Sequence, residues 1–588
     1  MENPKEFYNQ QIAKYQGSIK TLYRQLTLYS SLRLITFILT AMSTYLFFGD
    51  WTKFVASLII GFSVFLFLLL KHTKTKEIWN LHKNILQLNN DELDILNGNY
   101  QQRPEGKAYL DPSHFYSHDI DLFGKGSLYQ FINRTQTKDG SHKLALLLTQ
   151  NSIDNILNEQ QAIKALSTKQ TWSQNYAATA KLIQVETEPK LIIHWLSNYK
   201  PFLAGTQKWL PIAFTMLSII AIILVAKGLI FPSILMYWLI LGLAITGKYL
   251  KKINALAQNT SQLKDTFKQY SKLLHLIEEN KFESSLLQAK QQLIQAKDEK
   301  ASIIFKKLSK AMDALDNRNN LISAVFGNGY FLWDLYQSYR IERWIMSYGN
   351  KVEQWIETVA FFDAYNSFGT FAFNHPNYTY PKLTDNNKIS ISNLGHPLLP
   401  IKKRICNDVN IDHHNFLIVT GANMAGKSTF LRTISLHIIM ANCGLPVCAE
   451  HSIYHPIKLI TSMRTTDSLT DDSSYFFSEL TRLKFIVDAL ETDRYFVILD
   501  EILKGTNSTD KAIGSKKFVE KLAKSEATGI IATHDLSLCD ITEQLEPVHN
   551  YYFDAQIQND ELSFDYKLKP GICQNMNASF LLKKMQII

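Results

Sequence analysis

The residues best placed to do chemistry are Gly421, Ala422, Asn423, Met424, Ala425, Gly426, Lys427, Ser428 and Thr429, which follow the pattern Gly-x4-Gly-Lys-[Ser/Thr]. The apolar, strand-like run Phe416-Leu-Ile-Val-Thr420 precedes them and helix-forming sequence follows. Glycines let the backbone turn tightly enough for successive N–H groups and a helix N-terminus to converge on phosphate oxygens. In that setting Lys427 would reach the β- and γ-phosphates of ATP, and Ser428 would offer its hydroxyl to Mg2+. So short a pattern also arises by chance, so the rest of the site has to be found elsewhere in the chain.

Two further runs supply it. Tyr495-Phe-Val-Ile-Leu-Asp-Glu501 reads as a buried strand ending in two carboxylates. Asp500 would support Mg2+ through water, and Glu501 would polarise the attacking water. Gly529-Ile-Ile-Ala-Thr533 reads as another buried strand, ending at His534, which is placed to sense the γ-phosphate. Any one of these alone is an ordinary core strand with a polar end. Together, in this order and context, they read as an ATP-binding domain.

The residues around the loop narrow the choice. Thr420-Gly-Ala-Asn-Met-Ala-Gly-Lys-Ser-Thr-Phe-Leu-Arg432 closely resembles the nucleotide loop of the MutS family, the mismatch-repair ATPases. The resemblance extends to Gly395-His-Pro397, Asp467-Ser-Leu469, Ser473-Ser-Tyr-Phe-Phe-Ser-Glu479, Leu499-Asp-Glu-Ile-Leu-Lys-Gly-Thr506 and Ala532-Thr-His534. Weaker similarity covers Leu122 to Leu166, where Ser127-Leu-Tyr-Gln-Phe-Ile-Asn-Arg-Thr135 and Thr137-Lys-Asp-Gly140 look like the start of the family's helical core. The resemblance implies a homodimer in which Ser474, five residues before Glu479, contacts the γ-phosphate bound by the partner subunit. It also implies DNA or branched nucleic acid gripped between helical levers, and an adenine contact from Arg404 and Ile405, where the family places a stacking aromatic. Ser462 and Arg464 stand where the family usually has Arg and Gly, and the loop from Gly505 to Asp510 is one residue longer than usual. No stretch resembles the mismatch-reading domain with its Phe-x-Glu wedge, or a helix-turn-helix tail.

The elements that must carry this site include four apolar segments. Residues 34–49 and 54–70 lack charge and flank a turn holding Asp50 and Lys53; 209–226 and 228–247 do the same around Lys227. Helices of 17–20 residues are about 26–30 Å long, close to the roughly 30 Å hydrocarbon core of a bilayer. Buried core helices usually need fewer apolar residues and keep one polar face. Lys20, Arg24 and Arg33 precede the first pair and Lys71, Lys74 and Lys76 follow it; Lys200, Lys208, Lys248, Lys251 and Lys252 flank the second. Basic flanks stay on the cytoplasmic side, so both turns would face outward. The expected topology is four spans, with the ATPase and both termini cytoplasmic. Tyr8, Ile12, Tyr15, Ile19, Leu22 and Leu26 mark an amphipathic helix rather than a cleavable signal. A second stripe, Leu263, Phe267, Tyr270, Leu274 and Ile277, lies in a proline-free stretch from 233 to 375 suited to long helices.

The five cysteines form no C-x-x-C pair, which fits a reducing compartment without a metal site. Much of the net charge of +9 lies beside the apolar segments, where anionic lipid explains it, so charge does not establish nucleic-acid binding. The expected architecture is an α/β P-loop ATPase domain at the C-terminus, preceded by an all-α lever region carrying two transmembrane hairpins. Its divisions are an amphipathic helix (1–31), a first hairpin (32–71), a helical core-like region (72–208), a second hairpin (209–250), a helical lever region (251–380) and the ATPase domain (381–588). The expected function is a membrane-anchored ATPase acting as a clamp on DNA with ATP and Mg2+. Two other classes stay open. One is a transporter component, disfavoured by the lack of an LSGGQ-like signature and by few intramembrane polar groups. The other is a membrane scaffold that does not bind DNA.

Overall fold

The computed structural model describes residues 3–182, 189–203, 209–295, 299–464, 475–504, 506–558 and 561–574. Two antiparallel helices open the chain, α1 (Pro4–Leu46) and α2 (Trp51–Leu96). Asn3 caps the first by accepting from the Lys5 N–H, and Asp50 caps the second by accepting from the Lys53 N–H. The boundaries expected at 31/32 and 71/72 both fall inside these continuous helices. No glycine or proline occurs between Ser18 and Leu46 to break α1. In α2, Gly61 lies so close to Thr40 that a Cβ there would collide with it.

Short helices follow: α3 (Leu128–Ile132), α4 (Lys138–Thr149), α5 (Ile156–Ser167), α6 (Gln170–Lys181) and α7 (Pro189–Asn198). Next come α8 (Leu210–Ala226) and the long α9 (Ser233–Glu279), then α10 (Ser285–Gln292), α11 (Ala301–Asp316), α12 (Asn328–Phe331), α13 (Trp333–Tyr348) and α14 (Val352–Asn374). The stripe expected around Leu263 to Ile277 is buried, so it is packing surface. The helical core closes around α14, whose Trp355, Phe362, Tyr365 and Phe368 are almost wholly enclosed. A network of buried polar groups joins several of these helices. The Arg134 guanidinium donates to both carboxylate oxygens of Glu92, Asn374 donates to Glu92, and the Tyr8 hydroxyl donates to Asn374. This chain of bonds ties the start of α1 and the end of α2 to α14. Asp363 of α14 accepts from the Gln136 N–H and from the N–H and hydroxyl of Thr137, and so anchors the start of α4.

In contrast, the apolar stretches of α1 and α2 find no core, and those of α8 and α9 touch it only in part, through Phe214, Trp238 and Ile245. Leu34, Ile60, Ile220 and Ile240 are all more than half exposed. Three of these helices, α1, α2 and α9, are long and apolar enough to cross a membrane, and α8 is a shorter apolar helix of 17 residues.

The C-terminal region is α/β. Its strands are β1 (Lys382–Leu383), β2 (Lys388–Leu394), β3 (Asn407–Asp412), β4 (Phe416–Gly421), β5 (His451–Tyr454), β6 (Lys458–Ser462), β7 (Tyr495–Asp500), β8 (Thr528–Ala532), β9 (Val548–Gln558) and β10 (Glu561–Pro570). Its helices are α15 (Lys427–Asn442), α16 (Tyr475–Leu490) and α17 (Ser508–Lys524). A six-stranded sheet runs β10-β9-β4-β8-β7-β6, parallel except for β10, and a four-stranded sheet runs β1-β5-β2-β3. Residues of β4, β7 and β8 are buried along nearly their whole length, which is why their sequences are continuous apolar runs rather than alternating ones. The parallel order brings the carboxyl ends of β4, β8 and β7 side by side, where ligands of open α/β sheets bind.

Candidate active site

The loop after β4 is built around two left-handed glycines. At Gly421 (φ +151°) a Cβ would sit 2.8 Å from the Phe553 carbonyl oxygen, and at Gly426 (φ +102°) it would sit 3.0 Å from the Tyr566 ring. Side chains are therefore excluded where the backbone must turn before α15 begins at Lys427. The Lys427 ammonium is enclosed by its own loop, donating to the carbonyls of Gly421 (2.8 Å) and Ala422 (3.0 Å) and lying 3.3 Å from His534 Nε2. Asn423 and Met424 are exposed at the loop's crest, Ala425 is buried beneath it, and Thr429 is exposed on the first turn of α15.

The second and third runs meet this loop. Ser428 donates its hydroxyl to Asp500 Oδ2 at 2.7 Å. Glu501 takes a left-handed backbone (φ 57°), and its N–H donates to the Ala532 carbonyl at 2.9 Å, so β7 and β8 present Glu501 and His534 together. Its carboxylate lies 3.4 Å from Lys511 Nζ and 4.0 Å from Lys504 Nζ. Glu479, buried on α16, accepts from the Lys504 N–H at 3.0 Å and so holds the turn that follows Glu501. Burial lowers the Lys427 pKa, while Asp500 and Glu501 pull it back up. Burial, and then the Lys427 charge, lowers the His534 pKa. The imidazole is thus neutral at pH 7. Because an ammonium can only donate, His534 Nε2 accepts and Nδ1 carries the proton.

A hydroxyl and a carboxylate form a hard, all-oxygen donor pair that suits Mg2+. Among the described residues no group of three or more His, Cys, Asp or Glu side chains could hold a metal. Ser428 and Asp500 are the residues that would hold such an ion.

Residues 417–584 match the family model for MutS domain V. MutS protein homolog 4 of Homo sapiens is 34% identical over 233 residues, covering 38% of this chain and 24% of that protein. DNA mismatch repair protein MutS of Methanococcoides burtonii is 33% identical over 236 residues, covering 39% and 26%. The corresponding protein of Macrococcus caseolyticus is 29% identical over 246 residues, covering 40% and 28%. The C-terminal part of this chain belongs to the MutS family. The chain spans about a quarter of the length of the curated relatives it matches.

Within the MutS-type domain the expected residues are not all gathered. Arg404 is turned into its own loop, donating to the carbonyls of Leu399 (2.7 Å) and Pro397 (3.3 Å) and to Cys448 Sγ, with its guanidinium over the Tyr378 ring. Ile405 is left partly exposed. The aromatic group that does lie against the loop is Tyr566, which the sequence reading missed. In the sequence, Phe564, Tyr566 and Leu568 look like one face of an ordinary strand; a register shift in β10 and a left-handed Tyr566 (φ 53°) place its ring beside Gly426. Ser474 and the stretch from Asp467 to Leu469 lie outside the described residues.

The MutS-type domain is fastened to the helical core at its β6 edge. Asp119 is buried and accepts from the Thr461 hydroxyl (2.5 Å) and from the N–H groups of Met463 (3.1 Å) and Arg464 (3.0 Å). Arg464, one of the departures noted above, forms a two-pronged ion pair with Asp121, which Arg432 joins at 3.1 Å. Arg432 is on α15, so the helix that starts at the phosphate loop bonds directly to the core.

Proposed function

We propose that the chain is a membrane-anchored, MutS-like, Mg2+-dependent ATPase whose nucleotide cycle drives a homodimeric clamp on DNA. The observation that carries the ATPase reading is the meeting of Lys427, Ser428, Asp500, Glu501 and His534 at the carboxyl edge of three adjacent parallel strands. Mg2+ bound there would neutralise developing phosphate charge. Lys427 would exchange its two loop carbonyls for phosphate oxygens, and loop N–H groups and the α15 N-terminus would orient them. Glu501 would accept a hydrogen bond from water and aim it in line. Neutral His534, held by Lys427, would offer its Nδ1–H side or, after reorientation, a donor to the γ-phosphate.

Support for the DNA-clamp reading comes from the names of relatives such as DNA mismatch repair protein MutS and from the direct bonding of α15 to the helical core. Membrane anchoring is supported by the exposed apolar stretches of four helices. Lys427→Ala is expected to abolish ATP binding. Glu501→Gln is expected to keep ATP and lose turnover roughly 100-fold or more, because it acts on the water and not on ground-state phosphate charge. Glu501→Gln hydrolysing at the parent rate would overturn the assignment. DNA retention on purified protein that falls steeply between two salt concentrations tests the clamp.

A further inference from the structure

Between α11 and α13, residues 319–333 contain no charge and lie between Arg318 and Asp334. Leu321 to Phe331 are helical, with a π-helical turn at Ser323–Gly327 that runs into α12. Eleven helical residues reach about 16 Å, half of a bilayer's hydrocarbon core. Leu321, Ile322 and Phe326 are 78%, 69% and 53% exposed. So apolar a face, on a segment that joins the core helices α11 and α13, requires a cover.

The fold shows where this segment sits. Gly329 packs backbone-to-backbone on Gly242 of α9, so closely that a Cβ on Gly242 would collide with the Gly329 carbonyl and one on Gly329 would press on Leu239. The Tyr330 hydroxyl donates to the Leu235 carbonyl (3.3 Å), and the Thr215 hydroxyl of α8 donates to the Phe331 carbonyl (3.1 Å). Gly242 is six residues from Lys248, about 9 Å along α9 into its apolar half. The two ends of the excursion are tied together. Arg318 and Asp334 pair at 3.5 Å, and Trp333 Nε1 donates to the Ala314 carbonyl at 3.0 Å. Irregular backbone survives at membrane depth only when its polar groups are satisfied by protein. Here Asn320 accepts from the Ile322 N–H, and Asn328 accepts from the Asp334 N–H.

We propose that residues 320–332 are a re-entrant element seated in the cytoplasmic leaflet against α8 and α9, with lipid acyl chains covering Leu321, Ile322 and Phe326. This rests on the reading of α8 and α9 as membrane spans. The element packs through Gly329, Tyr330 and Phe331 on α9 and α8, whose own Ile240 and Ile220 are exposed, and that neighbourhood is what selects acyl chains as the occupant. Since α11 and α13 flank the element and pack on the remainder of α9, it gives the helical core a third hold on the bilayer beside the two hairpins.

The test uses the full chain reconstituted in phospholipid vesicles, with a benzophenone amino acid placed singly at Ile322, Phe326, Ile220 or Ile303. Irradiation is expected to yield lipid adducts, read by mass, at Ile322 and Phe326 as at Ile220 on α8, and none at Ile303 on α11. Gly242→Leu should remove the adducts at Phe326 and spare those at Ile220. Adducts at Ile220 without any at Ile322 and Phe326 would overturn the re-entrant element alone, and their absence at Ile220 would overturn the spanning reading. A cross-linked dimer from Phe326 in place of lipid adducts would assign the face to a second copy and overturn the proposal.

Discussion

At the scale of single residues, the phosphate loop was legible because its chemistry is local. Nine consecutive residues fix both the turn and the groups that line it, so the places of Lys427 and Ser428 could be read, while their roles toward a nucleotide belong to the proposal. Asp500, Glu501 and His534 were legible from strand ends, because a polar residue closing a buried apolar run sits at a sheet edge. Glu479 and Tyr566 owe their places to tertiary packing, one to the turn after Glu501 and the other to a bulge far along the chain. Arg404 misled for the opposite reason, since its partners are carbonyls of its own loop, invisible to a pattern of residue types. The resemblance assigns Ser474 to the partner's site, and that yields a prediction. Ser474→Ala and Lys427→Ala chains are each expected to be inactive as homodimers. Co-expressed, they should regain activity at one composite site, where the intact Lys427 of one chain meets the intact Ser474 of the other. ATPase assays on the mixed dimer check this, and no recovered activity under co-expression would leave Ser474 without a role at the partner's site.

At the scale of elements, apolar runs and buried strands could be read directly, whereas divisions between them could not. Composition changes near residues 31 and 71, but helical hydrogen bonds are internal to the segment whatever its side chains are, so α1 and α2 run through both positions. The segment around α12 escaped notice because it is too short for a span and carries no motif. The bonding of β6 to the core was also hidden, since Asp119 and Thr461 are far apart in sequence. Two neighbouring aspartates at this junction differ sharply. Asp119 is 5% exposed and accepts three hydrogen bonds, two from backbone N–H groups, of which Asp119→Ala would leave the Met463 N–H buried and unpaired. That substitution should cost about 2–4 kcal/mol in stability. The Asp121 side chain is 44% exposed, and Asp121→Ala should cost about 0–1 kcal/mol despite removing contacts to two arginines. Denaturant unfolding of the two variants, monitored on the MutS-type domain, checks the contrast; equal losses would mean that the buried acceptor is not what holds the junction.

At the scale of the whole molecule, buried histidines set an acid limit. Burial holds His437 down to about 3 and His375 to about 4; burial together with Arg432 and Arg404 holds His396 to about 4. Unfolded, each takes up a proton near 6.5, so the unfolded state binds more protons as pH falls below that value, and stability falls with it. Asp363 works in the opposite direction. Burial raises it to about 6, so it takes up its proton in the folded state first and offsets one histidine between about pH 6 and 4. The free energy of unfolding should therefore decline from pH 6.5 to 5, and His437→Leu should flatten the decline by up to about 1.4 kcal/mol per pH unit, read by denaturant unfolding at each pH. The long helices lead to the last prediction. α2 is fixed in the core by Glu92 and runs unbroken back to Trp51, a rise of about 60 Å. α9, with Tyr270 and Leu274 buried in the same core, runs back to Ser233 over a similar length. Both turns are thus carried far from the core, with apolar helix between, and the proposed anchoring, with basic flanks on the cytoplasmic side, would put Asp50 and Lys227 on the outer side. A membrane-impermeant thiol reagent should label Asp50→Cys and Lys227→Cys in sealed cells, and should label Lys74→Cys and Lys251→Cys only after the membrane is opened. Equal labelling of all four in sealed cells, or release of the chain by carbonate, would show that these helices lie against a surface or a partner and do not cross a bilayer.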